Sequence, residues 1–167
     1  MHRLILMRHA TAERDAPSGR DRDRPLSAAG RSDAVLMGRA LAQRGLKPDH
    51  ALVSAAIRTR QTWDGLHDAF GDVVVHQEDA LYNAGPDTLR RFVEASEDEA
   101  GCLIVVAHNP GIHMLAVEYL IESAASPSVL DRMAGGFPTG AAAIFTVDAA
   151  GRCTYEGFLT PKGLGGE

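Results

Sequence analysis

The stretch Leu4-Ile5-Leu6-Met7-Arg8-His9-Ala10-Thr11 decides the fold, because a short apolar run passes directly into an Arg-His pair. An apolar run of this length reads as a buried strand, and in an α/β sheet ligands bind just past the carboxyl ends of such strands. Arg8 offers a planar fork of donors matched to phosphate, and His9 offers an imidazole that can act as nucleophile or proton carrier. The chemistry indicated is phosphoryl transfer. Taken alone, His9 is more simply an ordinary polar residue of a first loop.

A second histidine in the same setting shifts that balance. Cys102-Leu103-Ile104-Val105-Val106-Ala107 is another buried-strand pattern, and it ends on His108-Asn109-Pro110-Gly111. Between the two, Ala51-Leu52-Val53-Ser54 leads through Ala55-Ala56-Ile57 to Arg58, then Thr59-Arg60-Gln61-Thr62. Arg58 read alone is a helix-surface charge and His108 a satisfied core histidine. Together with Arg8 and His9 they read as one site.

Arg8-His9, Leu26-Ser27-x-x-Gly30, Ser54-x-Ala56-x-Arg58-x-x-Gln61-Thr62 and His108-Asn109-Pro110, in that order, resemble the histidine phosphatase superfamily, also called phosphoglycerate-mutase-like. Arg24-Pro25-Leu26-Ser27, the Phe137-Pro138-Thr139-Gly140 turn and the short chain are most similar to its SixA-type phosphohistidine phosphatases. One departure is Ala107, where many relatives carry Gly, and a methyl group there implies only a slight adjustment in packing. The resemblance implies a phosphoglycerate-mutase-like fold. It implies His9, Arg8, Arg58 and His108 as the catalytic group, with Arg24 and Asn109 assigned to substrate binding.

The 167 residues fit one domain, with residues 1–160 expected to form it and 161–167 a flexible, Gly-rich tail. Hydrophobic residues make up 45% and charged residues 23%, an ordinary soluble balance. No apolar run approaches the roughly 20 residues that span a bilayer, and Arg8 arrives too early for a secretory signal. A cytoplasmic protein without a membrane partner is expected. The net charge of −5, with no basic tract interleaved with aromatics, argues against nucleic acid. The stretch Arg20-Asp21-Arg22-Asp23-Arg24 alternates in sign and reads as a solvated loop, Arg24 excepted.

Strands are predicted over residues 3–7, 51–54, 73–76, 102–107, 141–147 and 154–159. Helical patterns separate the first four, so the order is that of an α/β, three-layer α/β/α sandwich: a mainly parallel sheet covered by helices on both faces, with the last two strands as an antiparallel edge hairpin. Ser27 caps a first helix whose stripe is Val35, Gly38, Leu41 and Ala42. The second presents Thr62, Trp63, Leu66 and Phe70. Asp87 caps a third, carrying Leu89, Phe92 and Val93. Asn109 and Pro110 fit the cap and first turn of a fourth, with Ile112, Leu115, Ala116, Tyr119 and Leu120 on its face. Residues 123–140, rich in Ser, Pro and Gly, read as a surface excursion near the site.

Phosphoryl transfer needs cations around the equatorial oxygens and a positioned in-line nucleophile. Arg8 and Arg58 supply the former, and the helix terminus after His108 adds free N–H groups and a positive field. No cofactor is expected, and no metal. His113 lies five residues after His108, a spacing that does not align two ligands on a helix face, and no HExxH pattern is present. His2, His50, His67 and His76 read as surface or strand-end residues. Cys102 and Cys153 read as small buried hydrophobes, neither opening a cysteine-phosphatase loop nor forming a disulfide.

The resemblance also implies, for relatives acting on phosphate esters, a carboxylate after the third strand that protonates the leaving oxygen. Glu78 is the candidate, with Asp79 and Glu13 behind it, although all three also read as solvent-facing loop charges. Asn109, standing where the phytase-like branch has Asp, removes that acid. A phosphoramidate such as phosphohistidine depends less on an enzyme acid, because its nitrogen leaving group is readily protonated. The sequence therefore points to a phosphatase acting through a phosphohistidine intermediate on phosphohistidine in a partner protein. The alternatives are a phosphatase of small phosphorylated esters, a phosphoglycerate mutase, and a binding module for phosphorylated ligands without turnover. Residues 82–101 leave room for one short helix and no large lid.

Overall fold

The computed structural model describes residues 1–166, and Glu167, the end of the predicted tail, lies outside the described residues. The strands are β1 (Arg3–Arg8), β2 (His50–Ser54), β3 (Val74–Glu78), β4 (Cys102–Ala107), β5 (Ala142–Val147) and β6 (Cys153–Leu159). The helices are α1 (Ala28–Gln43), α2 (Ile57–His67), α3 (Pro86–Ala95), α4 (Gly111–Glu122) and α5 (Pro127–Ala134). They build one six-stranded sheet in the order β3-β2-β4-β1-β5-β6. The first four strands run parallel, β5 runs antiparallel to β1, and β6 closes the far edge as the partner of β5. No helix among the described residues is long and apolar enough to cross a membrane.

Strand side chains alternate between faces, so the continuous apolar runs of β1 and β4 feed two cores. Leu4, Leu6, Leu103 and Val105 pack with Leu89, Val93, Ile112, Leu115 and Tyr119 of α3 and α4. Ile5, Met7, Ile104 and Val106 pack with Met37, Leu41, Trp63 and Leu66 of α1 and α2. The helix after β1 therefore covers one face and the helix after the adjacent β4 covers the other. Chain segments leaving two neighbouring parallel strands in opposite directions open a crevice above the carboxyl ends, and that crevice is the place for a site.

Ser27 caps α1, its hydroxyl accepting from the Gly30 N–H at 3.0 Å. The buried stripe of α1 is Ala34, Met37, Gly38 and Leu41; Val35, placed on that stripe by its periodicity, is 38% exposed. Gly30 lies against the β1–α1 connection so closely that a Cβ would stand 2.0 Å from the Thr11 carbonyl oxygen.

Four expectations need correction. Gly85, not Asp87, is the cap residue of α3, because Pro86 takes the first helical position and Asp87 falls in the first turn, where its charge still opposes the helix dipole. Asn109 does not cap α4: its Nδ2 donates to the Phe137 carbonyl at 2.9 Å, and Pro110 occupies the cap position. The excursion over residues 123–140 contains a helix, α5, pinned by Met133 and Phe137 at 1% and 3% exposure. Burying a side chain of that size contributes roughly 1.5–3 kcal/mol, enough to order a segment whose composition favours a loop. The tail is not structureless over its described part: Pro161 is buried, Lys162–Leu164 form a 3-10 turn, and Leu164 packs on the core beneath α1 and α2.

Candidate active site

Arg8 and Ala107 are register partners at the ends of β1 and β4, so His9 and His108 leave adjacent strands side by side. Their ring centroids are 5.4 Å apart at an interplanar angle of 57°. Ser54 ends β2 on the other side of β4, and Arg58 projects from the first turn of α2. The sheet thus brings Arg8, His9, Arg58 and His108 together from segments up to a hundred residues apart. His9, Arg58 and His108 are 7%, 4% and 4% exposed.

A hydrogen bond fixes the protonation pattern of the His9 ring. The Nδ1 of His9 lies 2.7 Å from the Ala10 carbonyl oxygen. A carbonyl can only accept, so Nδ1 carries the proton and Nε2 keeps its lone pair. The Nε2 of His108 lies 2.7 Å from the Ser54 hydroxyl. A hydroxyl both donates and accepts: with Ser54 donating, Nε2 accepts and the proton sits on Nδ1, and with Ser54 accepting the two are reversed. Burial is the main cause that pushes His9 down to about 4, with Arg58, Arg8 and Arg24 adding to it against the Ala10 bond. Burial, then His9 and Arg58, push His108 down to about 3. Both imidazoles are neutral at pH 7, and the positive field comes from the guanidinium groups.

Nε of Arg8, Nε of Arg58, Nδ1 of His108 and Oδ1 of Asn109 are buried without a hydrogen-bond partner among the described residues. Buried polar groups are rarely left so, because each costs about 1–3 kcal/mol. Two of the four are guanidinium N–H donors beside His9, and Nδ1 of His108 is a third in the tautomer in which Ser54 donates; a tetrahedral oxyanion would satisfy all three. Arg8 is held by Nη1 donating to the Phe137 carbonyl at 3.1 Å, the same oxygen that anchors Asn109. From these two residues a groove of about 840 Å³ runs along Phe137, Pro138 and Arg132.

Arg24 is near enough to His9 to depress it, while its own Nε donates to Asp21 at 2.9 Å and its Nη1 to the Glu13 carbonyl at 2.8 Å. Glu78 pairs with Ser54 in the β2–β3 ladder. That puts it two strand spacings, roughly 10 Å, from the strand that carries His108, and among the described residues it makes no hydrogen bond to either histidine. Asp79 pairs with Arg22, and Glu13 is exposed. No group of three or more His, Cys, Asp or Glu residues is placed to hold a metal ion among the described residues. His113 is committed to the Met133 carbonyl at 2.7 Å. Cys102 and Cys153 are buried free thiols, each pushed up to about 12, chiefly by burial.

The motif residues Gln61 and Thr62 work at one remove. Thr62 Oγ1 accepts from the Ala10 N–H at 3.0 Å and donates to the Arg58 carbonyl at 2.7 Å, tying the His9 loop to α2. Gln61 accepts from the Leu26 N–H at 2.8 Å. The sequence did not single out Asp21, Ser54 or Tyr82 as site residues, yet Asp21 bonds Arg58, Ser54 bonds His108, and the Tyr82 ring meets His108 edge-on at 5.6 Å.

The depressed histidines have a consequence for stability. Each takes up a proton near its ordinary 6.5 when unfolded, so between about 4 and 6.5 the unfolded chain binds more protons and stability rises with pH. The melting temperature is expected to fall between pH 7 and pH 5, and the fall should shrink in His108→Gln. An equal fall in the variant, measured by calorimetry, would assign it to other groups.

The sequence model of the histidine phosphatase superfamily (branch 1) matches residues 4–86. An uncharacterized protein of Mycobacterium tuberculosis is 33% identical over 142 residues, which cover 84% of this chain and 87% of that protein. Two solved structures, each named as a "putative phosphohistidine phosphatase SixA", are similar throughout. That of Agrobacterium tumefaciens shares 31% identity with a TM-score of 0.84, covering 96% of this chain and 98% of its own. That of Nakamurella multipartitia shares 31% identity with a TM-score of 0.79, covering 96% of each.

Proposed function

The chain belongs to the histidine phosphatase superfamily, and from that premise we propose that it is a phosphatase that works through a phosphohistidine intermediate on His9, with phosphohistidine in a protein as its substrate. The observation that carries the reading is the tautomer of His9. Its Nδ1–H is committed to the Ala10 carbonyl, so an uncharged Nε2 lone pair stands beside His108 and the unpartnered guanidinium donors.

In the first step Nε2 attacks phosphorus, the new P–N bond forms as the bond to the leaving group breaks, and the leaving imidazole takes its proton from solvent. Arg8, Arg58 and the Nδ1–H of His108 hold the equatorial oxygens as charge redistributes, and the donors are already in place before the reaction begins. In the second step water attacks the same phosphorus as the P–N bond breaks, its oxygen and both protons leave with the product as dihydrogen phosphate, which exchanges protons with solvent, and neutral His9 is restored. Positive charge on fixed arginines fills the role that a divalent ion plays elsewhere, so no metal is assigned.

The substrate follows from the acids. Asp21, the carboxylate that reaches Arg58, is held down at about 2, first by the Tyr82 hydroxyl and then by Arg24 and Arg58, so it is ionised and has no proton to give. Glu78 lies apart from both histidines. A site without a committed acid suits a leaving nitrogen better than an alkoxide. The likeness to two SixA proteins supports the same choice.

The test is a panel of phosphohistidine peptide, aryl phosphate and alkyl phosphate, assayed with and without excess EDTA. Phosphohistidine and aryl phosphates are expected to turn over far faster than alkyl esters, unchanged by chelation, with Glu78→Gln altering phosphohistidine turnover less than about twofold. An enzyme acid typically contributes about 10²–10⁴-fold. Efficient alkyl ester hydrolysis that collapses in Glu78→Gln would instead make Glu78 the acid and the protein a phosphatase of small esters. Loss of activity with EDTA and its return with a divalent ion would overturn the metal-free account.

A further inference from the structure

The five residues from Arg20 to Arg24 read in sequence as a solvated, sign-alternating loop, but Asp21 in that loop is bonded three times by its side chain and twice through its main-chain carbonyl, one of these by the Arg24 N–H at 3.1 Å. Its Oδ2 accepts from Arg58 Nη2 at 3.0 Å and from the Tyr82 hydroxyl at 2.6 Å. Its Oδ1 accepts from Arg24 Nε at 2.9 Å, and its main-chain carbonyl accepts from Arg58 Nη1 at 2.8 Å. Two residues assigned to the phosphate, Arg58 and Arg24, thus hang from one carboxylate. The Tyr82 ring lies beneath the guanidinium of Arg22 at 5.6 Å and near that of Arg58 at 5.9 Å, with His108 on its edge.

The way Asp21 holds Arg58 decides between two roles. A guanidinium has five N–H donors. Asp21 takes one hydrogen from each Nη, at the outer end of the fork, through oxygens of both its side chain and its backbone. Nε and the second hydrogen of each Nη remain, and Nε is buried with no partner. Asp21 thus grips the guanidinium by its two Nη groups and leaves Nε and the remaining hydrogens available to an anion. We infer that Asp21 is a positioning residue, which fixes the Arg58 guanidinium by its outer end so that the remaining N–H groups meet the phosphoryl oxygens, and which carries Arg24 and Tyr82 on the same carboxylate. The inference rests on the phosphatase reading for its reaction, but not for its anion.

Geometry and charge can be separated at this residue. Asp21→Asn loses the charge but keeps an oxygen where Arg58 and Tyr82 need it, giving up only the Arg24 bond. Asp21→Glu keeps the charge and displaces it by a methylene. Each variant, with Asp21→Ala, Arg58→Ala and the double Ala variant, is assayed for kcat and KM on an aryl phosphate and titrated with inorganic phosphate in a calorimeter. Positioning predicts Asn within about fivefold of wild type in kcat, and Glu and Ala lower by about 10- to 100-fold, the cost of an ångström-scale misplacement. Phosphate affinity should follow the same order, and the cost of Asp21→Ala should shrink several-fold once Arg58 is Ala, keeping only what passes through Arg24.

Glu performing better than Asn would reassign Asp21 to a purely electrostatic role and overturn the inference. So would phosphate binding more tightly to Asp21→Ala than to wild type, or an undiminished effect of Asp21→Ala in the Arg58→Ala background. If Asp21→Ala does not fold, the contrast of Asn with Glu still decides. A wild type that binds phosphate in this order yet hydrolyses nothing would sink the phosphatase reading and leave the positioning role standing.

Discussion

His9→Ala is expected to lower turnover of phosphohistidine and aryl phosphates by at least about 10⁴-fold, the scale seen when a covalent nucleophile is deleted. The fold should survive. The ring makes its one hydrogen bond to the neighbouring Ala10 carbonyl, so the substitution orphans one acceptor, worth about 1 kcal/mol, or a few degrees of melting temperature for a chain of this size. Brief mixing of wild type with labelled substrate, followed by alkaline quench, should trap phosphate on His9. The adduct should vanish in acid, as a P–N bond does, and be absent from the variant. Full activity in His9→Ala would remove the nucleophile from the mechanism altogether.

Arg58→Lys keeps the charge and is nonetheless expected to lose on the order of 10²-fold or more in kcat, comparable to deleting one transition-state donor. An ammonium is a point charge with three donors, whereas Arg58 must hold the Asp21 carbonyl and carboxylate and still present hydrogens to a phosphoryl group. The loss should fall mainly on kcat, because a lysine retains long-range attraction for the anion while failing at the two-point contact formed in the transition state. Kinetics near wild type would return Arg58 to the status of an ordinary helix charge.

The sheet and its site were legible in the sequence for a common reason. β1 and β4 are buried on both faces, so their sequences are uninterrupted apolar runs, and each run ends on a histidine that the register then sets beside its counterpart. What escaped notice depends on partners distant in sequence. Asp21 looks solvated because its neighbours alternate in charge, and nothing local announces Arg58 or Tyr82, 37 and 61 residues away. Asn109 has the composition of a cap, but the Phe137 carbonyl, 28 residues on, captures its amide. The α5 segment hid behind Ser, Pro and Gly, although Pro127 occupies an early helical position where proline is well tolerated. Val35 is on the predicted stripe of α1, yet the face that meets the sheet carries Ala34 and Met37 instead, and Val35 stays 38% exposed.

Gly30 has no side chain to offer the chemistry, yet its missing Cβ is what lets α1 seat on the Thr11 carbonyl, two residues beyond His9. Any side chain there must push the His9 loop or the helix aside. In a selection for activity, Gly30 would therefore be as intolerant of replacement as His9 itself, and a tolerance profile read alone would enrol it among the chemical groups. Measuring soluble abundance alongside turnover would part the two. Variants at His9 should accumulate normally and do nothing, while variants at Gly30 should lose abundance and rate together. For this chain, indispensability marks the scaffold as readily as it marks the chemistry.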